Sequence, residues 1–397
     1  MHTKFSFSLF LLSLVPLGYI IKGALPIDLT LIIYILLYAF AVFKLLVKKE
    51  RISFSKVDSV FYLWVLVLLI GSIYSPAQLE GLFKTMEFLF LGVSLIFFSR
   101  VFIKNKNDLN KIIFYMLINS TLTGYLVLID FYLSGMESFR YQAFGVVVPI
   151  PLSMLGATTL LISIFMFYFK KISLVTFVFT TLPSVSVMGI AASKGPVIAF
   201  LITVTLMSPL LIKKFNIKLV FVTSIAIFLL TRIQFVKESL DVLFRRFART
   251  EYDMSTSIRI NSYEKAIEAF KSSPFLGKGT AVNYPDYPHN FFLEILSENG
   301  VFLLLIIFSL ITLLVFQYLR FIVKKANTFS ETIILSLIIS SVVSLMFSFT
   351  YVDHKYLFLS IGLLIVYNKI NKFEKTEVVT DKTKKKNYRF KRYRIVW

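Results

Sequence analysis

Runs of apolar residues long enough to cross a lipid bilayer recur along most of this chain. A transmembrane helix needs about 20 predominantly apolar residues, because the hydrocarbon core is about 30 Å thick. Hydrophobic residues make up 57% of the 397 residues, and charged residues only 16%. Soluble domains average about 45–50% apolar and about 25% charged residues. The sequence therefore predicts an all-α polytopic membrane protein.

The apolar runs between polar breaks predict about twelve transmembrane helices. They lie near residues 5–21, 26–47, 58–74, 84–99, 112–133, 146–169, 172–190, 196–212, 217–231, 298–319, 332–350 and 354–368. The first run has the flanks of a signal peptide, but it lacks a clean cleavage site and is interpreted as a helix. Four parts follow: helices one to nine over 1–231, a large extracytoplasmic catalytic loop with amphipathic helices over 232–297, helices ten to twelve over 298–368, and a basic, disordered cytoplasmic tail over 369–397.

Lysine and arginine collect in alternate loops, and this asymmetry predicts the orientation, because cytoplasmic loops are enriched in both. The cations in question are Lys48, Lys49, Arg51, Lys56, Arg100, Lys104, Lys106, Lys111, Lys170, Lys171, Lys213, Lys214, Lys218, Arg320, Lys324 and Lys325. Both termini are therefore expected in the cytoplasm, with 232–297 outside. The net charge of +21 reflects this pattern and the tail, which is expected to contact membrane lipids rather than nucleic acid.

Several kinds of chemistry are excluded by missing residues. The chain has no cysteine, which excludes disulfides, thiolate metal sites and a cysteine nucleophile. It has no Asp-x-Asp pair, histidine cluster or GxxxxGK[ST] loop, so we expect neither a metal ion nor a nucleotide cofactor. A transporter of the major-facilitator kind would show two similar halves joined by its longest loop. The long insertion before residue 298 instead argues against transport.

Residues 257–272 of the predicted outer loop have the spacing of an amphipathic helix. Its apolar face comprises Ile260, Tyr263, Ile267 and Phe270, which recur at spacings of three and four residues. The residues at 255–257 are good N-caps, and the helix is expected to lie flat on the membrane with the apolar face down. A second, basic helix over 232–249 would contain Arg232, Lys237, Arg245, Arg246 and Arg249.

Arg259 and His289 are the strongest candidates for chemistry in this loop. Arg259 lies in the first turn of the predicted helix, where a cation opposes the helix dipole. It either binds a phosphate together with the free helix amides, or it snorkels to the membrane interface or pairs with Glu251 or Asp253. His289, one of three histidines, directly precedes an apolar span. It is either a general base, since free imidazole has a pKa near 6.5, or a capping or interfacial residue.

Other charged residues near the predicted outer face carry two interpretations each. Lys194 lies between two apolar spans with almost no loop, so it is either functional or reaches out to the lipid headgroups. Arg140 lies in the loop before 146–169, where a lone arginine is usually solvated. Glu294 and Glu298 follow His289 and are either ordinary first-turn charges or catalytic carboxylates.

Together these motifs resemble the signature of the O-antigen ligase and O-antigen polymerase family. The resemblance covers an arginine-led helix with Arg259, the Pro-x-x-Gly-x-Gly turn of residues 274–279, and His289-Asn290 with Gly300 after nine intervening residues. Two weaker matches are Arg140-Gly145-Pro149 and Ser193-Lys194-Gly195. The chain departs from the family where Leu303 replaces a second glycine and where Lys194 replaces the usual arginine.

The resemblance implies a GT-C-like membrane glycosyltransferase of the bacterial inner membrane that needs no cofactor. Its substrate would be an undecaprenyl-diphosphate-linked glycan, and its partners membrane lipids, a flippase and a chain-length regulator. The implied site consists of catalytic His289 and Arg259, diphosphate-binding Arg140, Lys194 and Arg249, and supporting Asn290, Glu294 and Lys278. Polymerisation of repeat units for a surface polysaccharide is the preferred function. Alternatives are ligation of the glycan to lipid A core and, more distantly, transport of the lipid-linked glycan.

Overall fold

In a computed structural model, the regular elements of the described residues are all helices, and no β-strand occurs there. Those residues are 5–25, 28–50, 52, 54–135, 141–213, 237–238, 241, 244–245, 254–324 and 327–372. An isolated antiparallel bridge joins Ala143 to Val147. Arg140, Arg249, the predicted span 217–231 and most of the predicted basic helix lie outside the described residues.

The helices of the described residues are numbered in chain order. They are α1 (Phe7–Lys22), α2 (Leu29–Leu46), α3 (Lys56–Tyr74), α4 (Gln78–Phe102), α5 (Lys106–Leu133), α6 (Pro149–Tyr168), α7 (Leu174–Ala191), α8 (Lys194–Lys213), α9 (Met254–Ser272), α10 (Phe291–Val323), α11 (Phe329–Leu345) and α12 (355–372). A short 3-10 turn, Val15–Leu17, interrupts α1, and a π-helical segment, Phe88–Val93, interrupts α4.

Seven of the described helices, α2 to α7 and α10, are long and apolar enough to cross a membrane. Shorter apolar helices are Phe7–Lys22, Lys194–Leu210 and Phe329–Leu345. The predicted class, an all-α polytopic membrane protein, is therefore confirmed. The count near twelve and the sidedness of the loops stay predictions.

Two helices start earlier than the apolar pattern predicts, and each of the added segments contains one glutamate. Helix α4 begins at Gln78 rather than 84, and α10 begins at Phe291 rather than 298. The added turns of α10 contain Glu294, and those of α4 contain Glu80. Charged side chains at these depths are compatible with a bundle because they face protein rather than lipid.

A break at Gly300 divides α10 into two parts. Gly300 has φ 65° and ψ −162° inside an otherwise continuous helix. The backbone groups freed on both sides bond to the segment 274–279. Lys278 N donates to Ser297 O and Gly279 N to Glu298 O, while Val301 N donates to Pro274 O and Phe302 N to Phe275 O. The family-like Pro-x-x-Gly-x-Gly turn is thus the hydrogen-bonding partner of the broken helix.

The same loop is also attached to α3. Thr280 N donates to Gly71 O at 3.2 Å, and the Thr280 hydroxyl donates to Leu68 O at 2.8 Å. Ser75 Oγ donates to Thr280 O at 2.7 Å. The residues before His289 therefore lie at a fixed position between α3 and α10.

Helix α9 packs on α10 through small residues rather than through the predicted apolar face. Ser262, Ala266 and Ala269 are buried at 7%, 0% and 7% exposure, whereas Ile260 and Ile267 are exposed. Small side chains allow the two helices to approach closely. The helix also begins at Met254, so the N-cap predicted at 255–257 is wrong.

We predict that Gly277→Ala destabilises the protein more than Gly145→Ala does. Both glycines have a positive φ, 68° and 69°, so an L-residue costs about 1–2 kcal/mol at either. A Cβ on Gly277 would lie 2.3 Å from the Glu298 carbonyl carbon, whereas one on Gly145 would meet nothing within 4 Å. The contact should add about 1–3 kcal/mol, measured as a lower unfolding temperature in detergent. Equal losses in the two variants would contradict this role of the turn.

Candidate functional site

His289 lies immediately before α10 in a backbone conformation that few residues adopt, with φ 46°. Asn290 fixes this geometry as the N-cap. Its Oδ1 accepts from Phe292 N at 3.1 Å and Leu293 N at 3.2 Å, and its Nδ2 donates to Met346 O at 3.2 Å. Asn290 therefore anchors the His289 turn both to α10 and to the segment after α11.

The His289 imidazole is half-buried against an aromatic ring. Its centroid lies 4.2 Å from that of Tyr287, and its Nδ1 is buried without a hydrogen-bond partner. Burial and then the neighbouring Arg259 guanidinium lower the pKa of His289 to about 4, although Asp286 opposes them. The ring is therefore neutral near pH 7, and its Nε2 is the nitrogen left to face accessible space.

Arg259 shares this site with His289, because its charge acts on two groups of the same loop. It lowers the pKa of His289. Burial, followed by the carboxylates of Asp353 and Glu294, raises the pKa of Tyr287, and Arg259 acts against that rise. The Arg259 charge thus acts electrostatically on the His289 ring, and their joint role in one site stays a prediction.

The local setting of Arg259 differs from the predicted one. Since α9 begins at Met254, Arg259 lies in its second turn, away from the free amides of the helix start. The described start of α9 is therefore more than one turn away from Arg259. Arg259 is instead half-buried on the same face as Ser262 and Ala266, which packs on α10. Within the described part of the chain, it forms no ion pair.

A buried ion cluster lies beside the His289 turn, and sequence reasoning missed its central residue. Lys84 of α4 places its Nζ 2.6 Å from Glu294 Oε1 and 2.6 Å from Glu298 Oε1. The two glutamates are 0% and 2% exposed. Glu294 lies in the first turn of α10, as predicted, but Glu298 lies beyond it, and both carboxylates bind an ammonium from another helix.

Neighbouring polar groups complete this cluster. Thr350 Oγ1 donates to Glu294 Oε1 at 2.5 Å, and Tyr351 OH donates to Glu298 Oε2 at 2.9 Å. The Lys84 ammonium also lies 4.7 Å from the centre of the Tyr351 ring. Two carboxylates face one ammonium, and Glu294 Oε2 is buried without a partner. The cluster thus has an excess of acidic groups over cations.

Two cavities adjoin the loop, and Tyr287 lines both. We call the first the acidic cavity; it has a volume of about 290 Å³ and is lined by Glu80, Glu87, Asp286, Glu298 and Lys84, among others. The second, the His354 cavity, has a volume of about 230 Å³ and includes His354, Asp353, Lys355 and Tyr19 in its lining. The Tyr287 side chain, whose ring packs at a tilt against His289, therefore forms part of the wall of each cavity.

The remaining predicted site residues differ in placement. Lys194 begins α8, and its neighbour Gly195 lies so close to Ser348 that a Cβ would meet the hydroxyl at 2.6 Å. Lys194 lines neither of the two cavities. The Lys278 side chain is exposed, while its backbone N donates to Ser297 O. The structure gives Lys278 a backbone role at the Gly300 break.

Comparison with known proteins gives one family match. Residues 172–308 match the family model described as O-antigen ligase. The matched segment contains α7 to α9 and the start of α10, and with it Arg259, His289, Asn290, the Pro-x-x-Gly-x-Gly turn and Gly300. The family resemblance inferred from these motifs is therefore confirmed. No curated protein matches the chain.

We predict that Lys84→Met destabilises the protein by about 3–5 kcal/mol, because removing one partner of a buried ion pair leaves uncompensated charge. Lys104→Met is the matched control, since Lys104 pairs with Glu50 but both side chains are substantially exposed, at 40% and 26%. Such exposed pairs contribute about 0–1 kcal/mol. Thermal unfolding in detergent compares the two. Similar unfolding temperatures would show that the Lys84 cluster does not support the fold.

Proposed function

We propose that this chain, a multi-pass membrane protein with an O-antigen ligase family domain, polymerises lipid-linked oligosaccharide repeat units into a surface polysaccharide. The observation that supports the proposal is a half-buried, neutral His289 immediately before α10 whose pKa is lowered by the charge of Arg259. One supplies a fixed positive charge, and the other an unprotonated imidazole nitrogen. The His289 end of the bundle is proposed to face outward from the bacterial inner membrane.

The proposed reaction is a glycosyl transfer from an undecaprenyl-diphosphate-linked glycan to a sugar hydroxyl. The acceptor oxygen forms a bond to the anomeric carbon of the donor, and the bond from that carbon to the diphosphate oxygen breaks. His289 Nε2 takes the hydroxyl proton, and undecaprenyl diphosphate leaves with the electron pair. Because the donor is already activated, the step needs no nucleotide.

Arg259 is proposed to stabilise the diphosphate as charge develops on the leaving oxygen. A preorganised guanidinium in a partly dehydrated site is well suited to this task, since it binds phosphate oxygens in a bidentate manner. Lys194, Arg140 and Arg249 are proposed as further diphosphate ligands. The acidic cavity would repel the diphosphate, so the lipid-linked phosphates belong on the Arg259 side of the loop.

The low pKa of His289 makes the proton affinity of its imidazole depend on whether Arg259 has bound an anion. With a pKa of about 4, His289 is unprotonated near pH 7 in the protein without bound donor, but it is then a weak base. The positive charge of Arg259 is one reason why the pKa of His289 is low. An anionic diphosphate bound to Arg259 would offset that charge. Donor binding would thereby raise the basicity of His289 just when the acceptor hydroxyl must lose its proton.

A ligase that transfers finished glycan to lipid A core is the second candidate, favoured by the description of the matching family as O-antigen ligase. Both functions use the same donor chemistry and differ in the acceptor. We propose the polymerase because Leu303 and Lys194 depart from the family pattern.

Purified protein given lipid-linked repeat units alone should produce a ladder of longer chains. Transfer that occurs solely when lipid A core is added would replace this proposal with the ligase.

We predict that His289→Ala and Arg259→Ala each reduce polymer formation by about 10²–10⁴-fold, the usual contribution of a general base or a charge-stabilising group. Polymer is measured by gel electrophoresis of the products from lipid-linked repeat units in proteoliposomes. Lys271→Ala is the matched control, because Lys271 is an exposed cation in the last turn of the same helix. It should retain activity.

Near-normal chain growth in either His289→Ala or Arg259→Ala, with the protein inserted at normal levels, would overturn the proposed site. Loss in the Lys271→Ala control as well would indicate that polymer formation depends on the general charge of α9. The three variants together therefore separate a specific site from a basic surface.

We also predict that His289 titrates near pH 4 and that Arg259→Gln moves this midpoint upward. Removing the guanidinium removes a cause that lowers the pKa, so the imidazole becomes protonated at a higher pH. Diethyl pyrocarbonate modifies only the neutral imidazole, and mass spectrometry of the His289 peptide gives its reaction rate at each pH without requiring activity. A midpoint near the 6.5 of free imidazole in the protein without substitutions, or the same midpoint in Arg259→Gln, would contradict the electrostatic effect of Arg259 on His289.

A further inference from the structure

A cavity of about 340 Å³ lies between α10, α12 and the start of α3. It is at the end of the bundle opposite His289, because α10 and α12 begin at the same end and the cavity contacts their later turns. Tyr351, just before α12, donates to Glu298 near the start of α10, whereas Gln317 donates to Asn368 farther along both helices. The cavity is therefore separate from the candidate site.

Most of the wall of this cavity is apolar. It includes Leu310, Leu313 and Leu314 of α10 and Leu364 and Ile365 of α12. Leu313 is 50% exposed, so the wall is accessible from outside the protein. Because α3 and α10 are long and apolar enough to cross a membrane, this concave surface would face hydrocarbon. An empty space there would forfeit dispersion contacts, which a hydrocarbon chain supplies.

The length of the wall matches one leaflet of a bilayer. Leu310 and Arg320, which both line the cavity, are separated by about 15 Å along the helix axis at 1.5 Å per residue. The hydrocarbon core is about 30 Å thick, so each leaflet contributes about 15 Å. The wall therefore fits an acyl chain that runs from a headgroup beside Arg320 to the middle of the bilayer.

The polar end of the cavity carries an excess of positive charge. Arg320 is exposed there, and no acidic group of the described residues pairs with it. Two buried acids at this end already have cationic partners. Glu331 lies 2.5 Å from Lys324 Nζ, and Asp58 accepts from Arg100. A guanidinium without a carboxylate partner is well suited to bind phosphate oxygens in a bidentate manner.

We propose that this cavity binds one anionic glycerophospholipid, with an acyl chain along α10 and the headgroup phosphate on Arg320. A zwitterionic headgroup would bring an ammonium close to Arg320 and to Lys56, an exposed cation in the first turn of α3. The lipid would fill the space between α10 and α12 and so stabilise their packing. It would bind whether or not the protein transfers sugar, because the cavity and His289 are at opposite ends of α10.

Native mass spectrometry of the full-length protein with added phosphatidylglycerol tests the phosphate contact. The protein without substitutions should retain one phosphatidylglycerol, and Arg320→Gln should bind it about tenfold more weakly, because a charge-assisted hydrogen bond is lost. Lys56→Gln is the matched control, since Lys56 is an exposed cation at the same end that does not line the cavity. It should bind the lipid normally. Equal affinities in Arg320→Gln and Lys56→Gln would overturn the proposal.

A second pair of variants tests the acyl-chain contact without changing any charge. Leu313 lines the cavity and is 50% exposed, whereas Val315 is 48% exposed on the same helix and does not line it. Leu313→Trp should fill the groove and weaken phosphatidylglycerol binding, and Val315→Trp should leave it unchanged. Phosphatidylglycerol should also raise the unfolding temperature of Val315→Trp more than that of Leu313→Trp. Equal binding in the two variants would overturn the proposal.

Two competing lipids identify the occupant. Phosphatidylcholine should bind more weakly than phosphatidylglycerol, and undecaprenyl phosphate should not displace phosphatidylglycerol. Equal binding of phosphatidylcholine would overturn the assignment to an anionic lipid, and displacement by undecaprenyl phosphate would assign the cavity to the polyprenyl carrier instead. A protein dimer that Leu313→Trp dissociates would show that a second copy of the chain occupies the surface, which would also overturn the proposal.

Discussion

The hydrogen bonds between residues 274–279 and the Gly300 break hold the candidate site in place. A helix interrupted within an apolar span leaves amide and carbonyl groups unpaired, and in hydrocarbon each such group costs several kcal/mol. In this protein Lys278 N and Gly279 N donate to the carbonyls before the break, and Pro274 O and Phe275 O accept from the amides after it. The loop before α10 is consequently attached by its backbone to a helix long and apolar enough to cross a membrane. Thr280 also bonds to α3. The segment that leads to His289 is therefore held by both α3 and α10.

Two groups of charged residues lie near this loop, one with an excess of carboxylates and the other basic. Lys84 with Glu294 and Glu298 forms a buried cluster with excess carboxylate, and the adjoining cavity is acidic. Arg259 lies on α9, which also packs on α10, and its positive charge lowers the pKa of His289. In the proposed mechanism this arrangement keeps the anionic diphosphate of the donor on the Arg259 side of the loop, away from the buried carboxylates. The Lys84 cluster also explains how two glutamates are retained at the start of an apolar helix.

The membrane class could be predicted from the sequence, because it depends on local patterns, and such patterns also pointed to Arg259 and His289 as the candidate site. Apolar runs show directly which segments can span a bilayer, and the spacing of Arg259, residues 274–279, His289 and Gly300 matches a family signature. The role of Gly300 could not be predicted in this way. Its effect depends on contacts with Pro274 and Phe275, which the sequence separates from it by about two dozen residues.

Lys84 could have been found by a criterion that the sequence already offers. A lone cation at the start of an apolar run is a functional candidate at Lys194, and the same criterion applies to Lys84. Its partners Glu294 and Glu298 lie more than 200 residues away, so no spacing rule could pair them. The predicted start of α9 is wrong for a different reason: several good N-cap residues follow one another at 255–257, and the helix extends past all of them to Met254.

A structure of the protein with undecaprenyl diphosphate-linked oligosaccharide bound, determined by electron cryomicroscopy in lipid nanodiscs, tests the central claim most directly. The diphosphate should contact the Arg259 guanidinium, and the anomeric carbon should face His289 Nε2 across space large enough for an acceptor hydroxyl. Diphosphate density in the acidic cavity, or on a surface that neither Arg259 nor His289 reaches, would contradict the proposed mechanism.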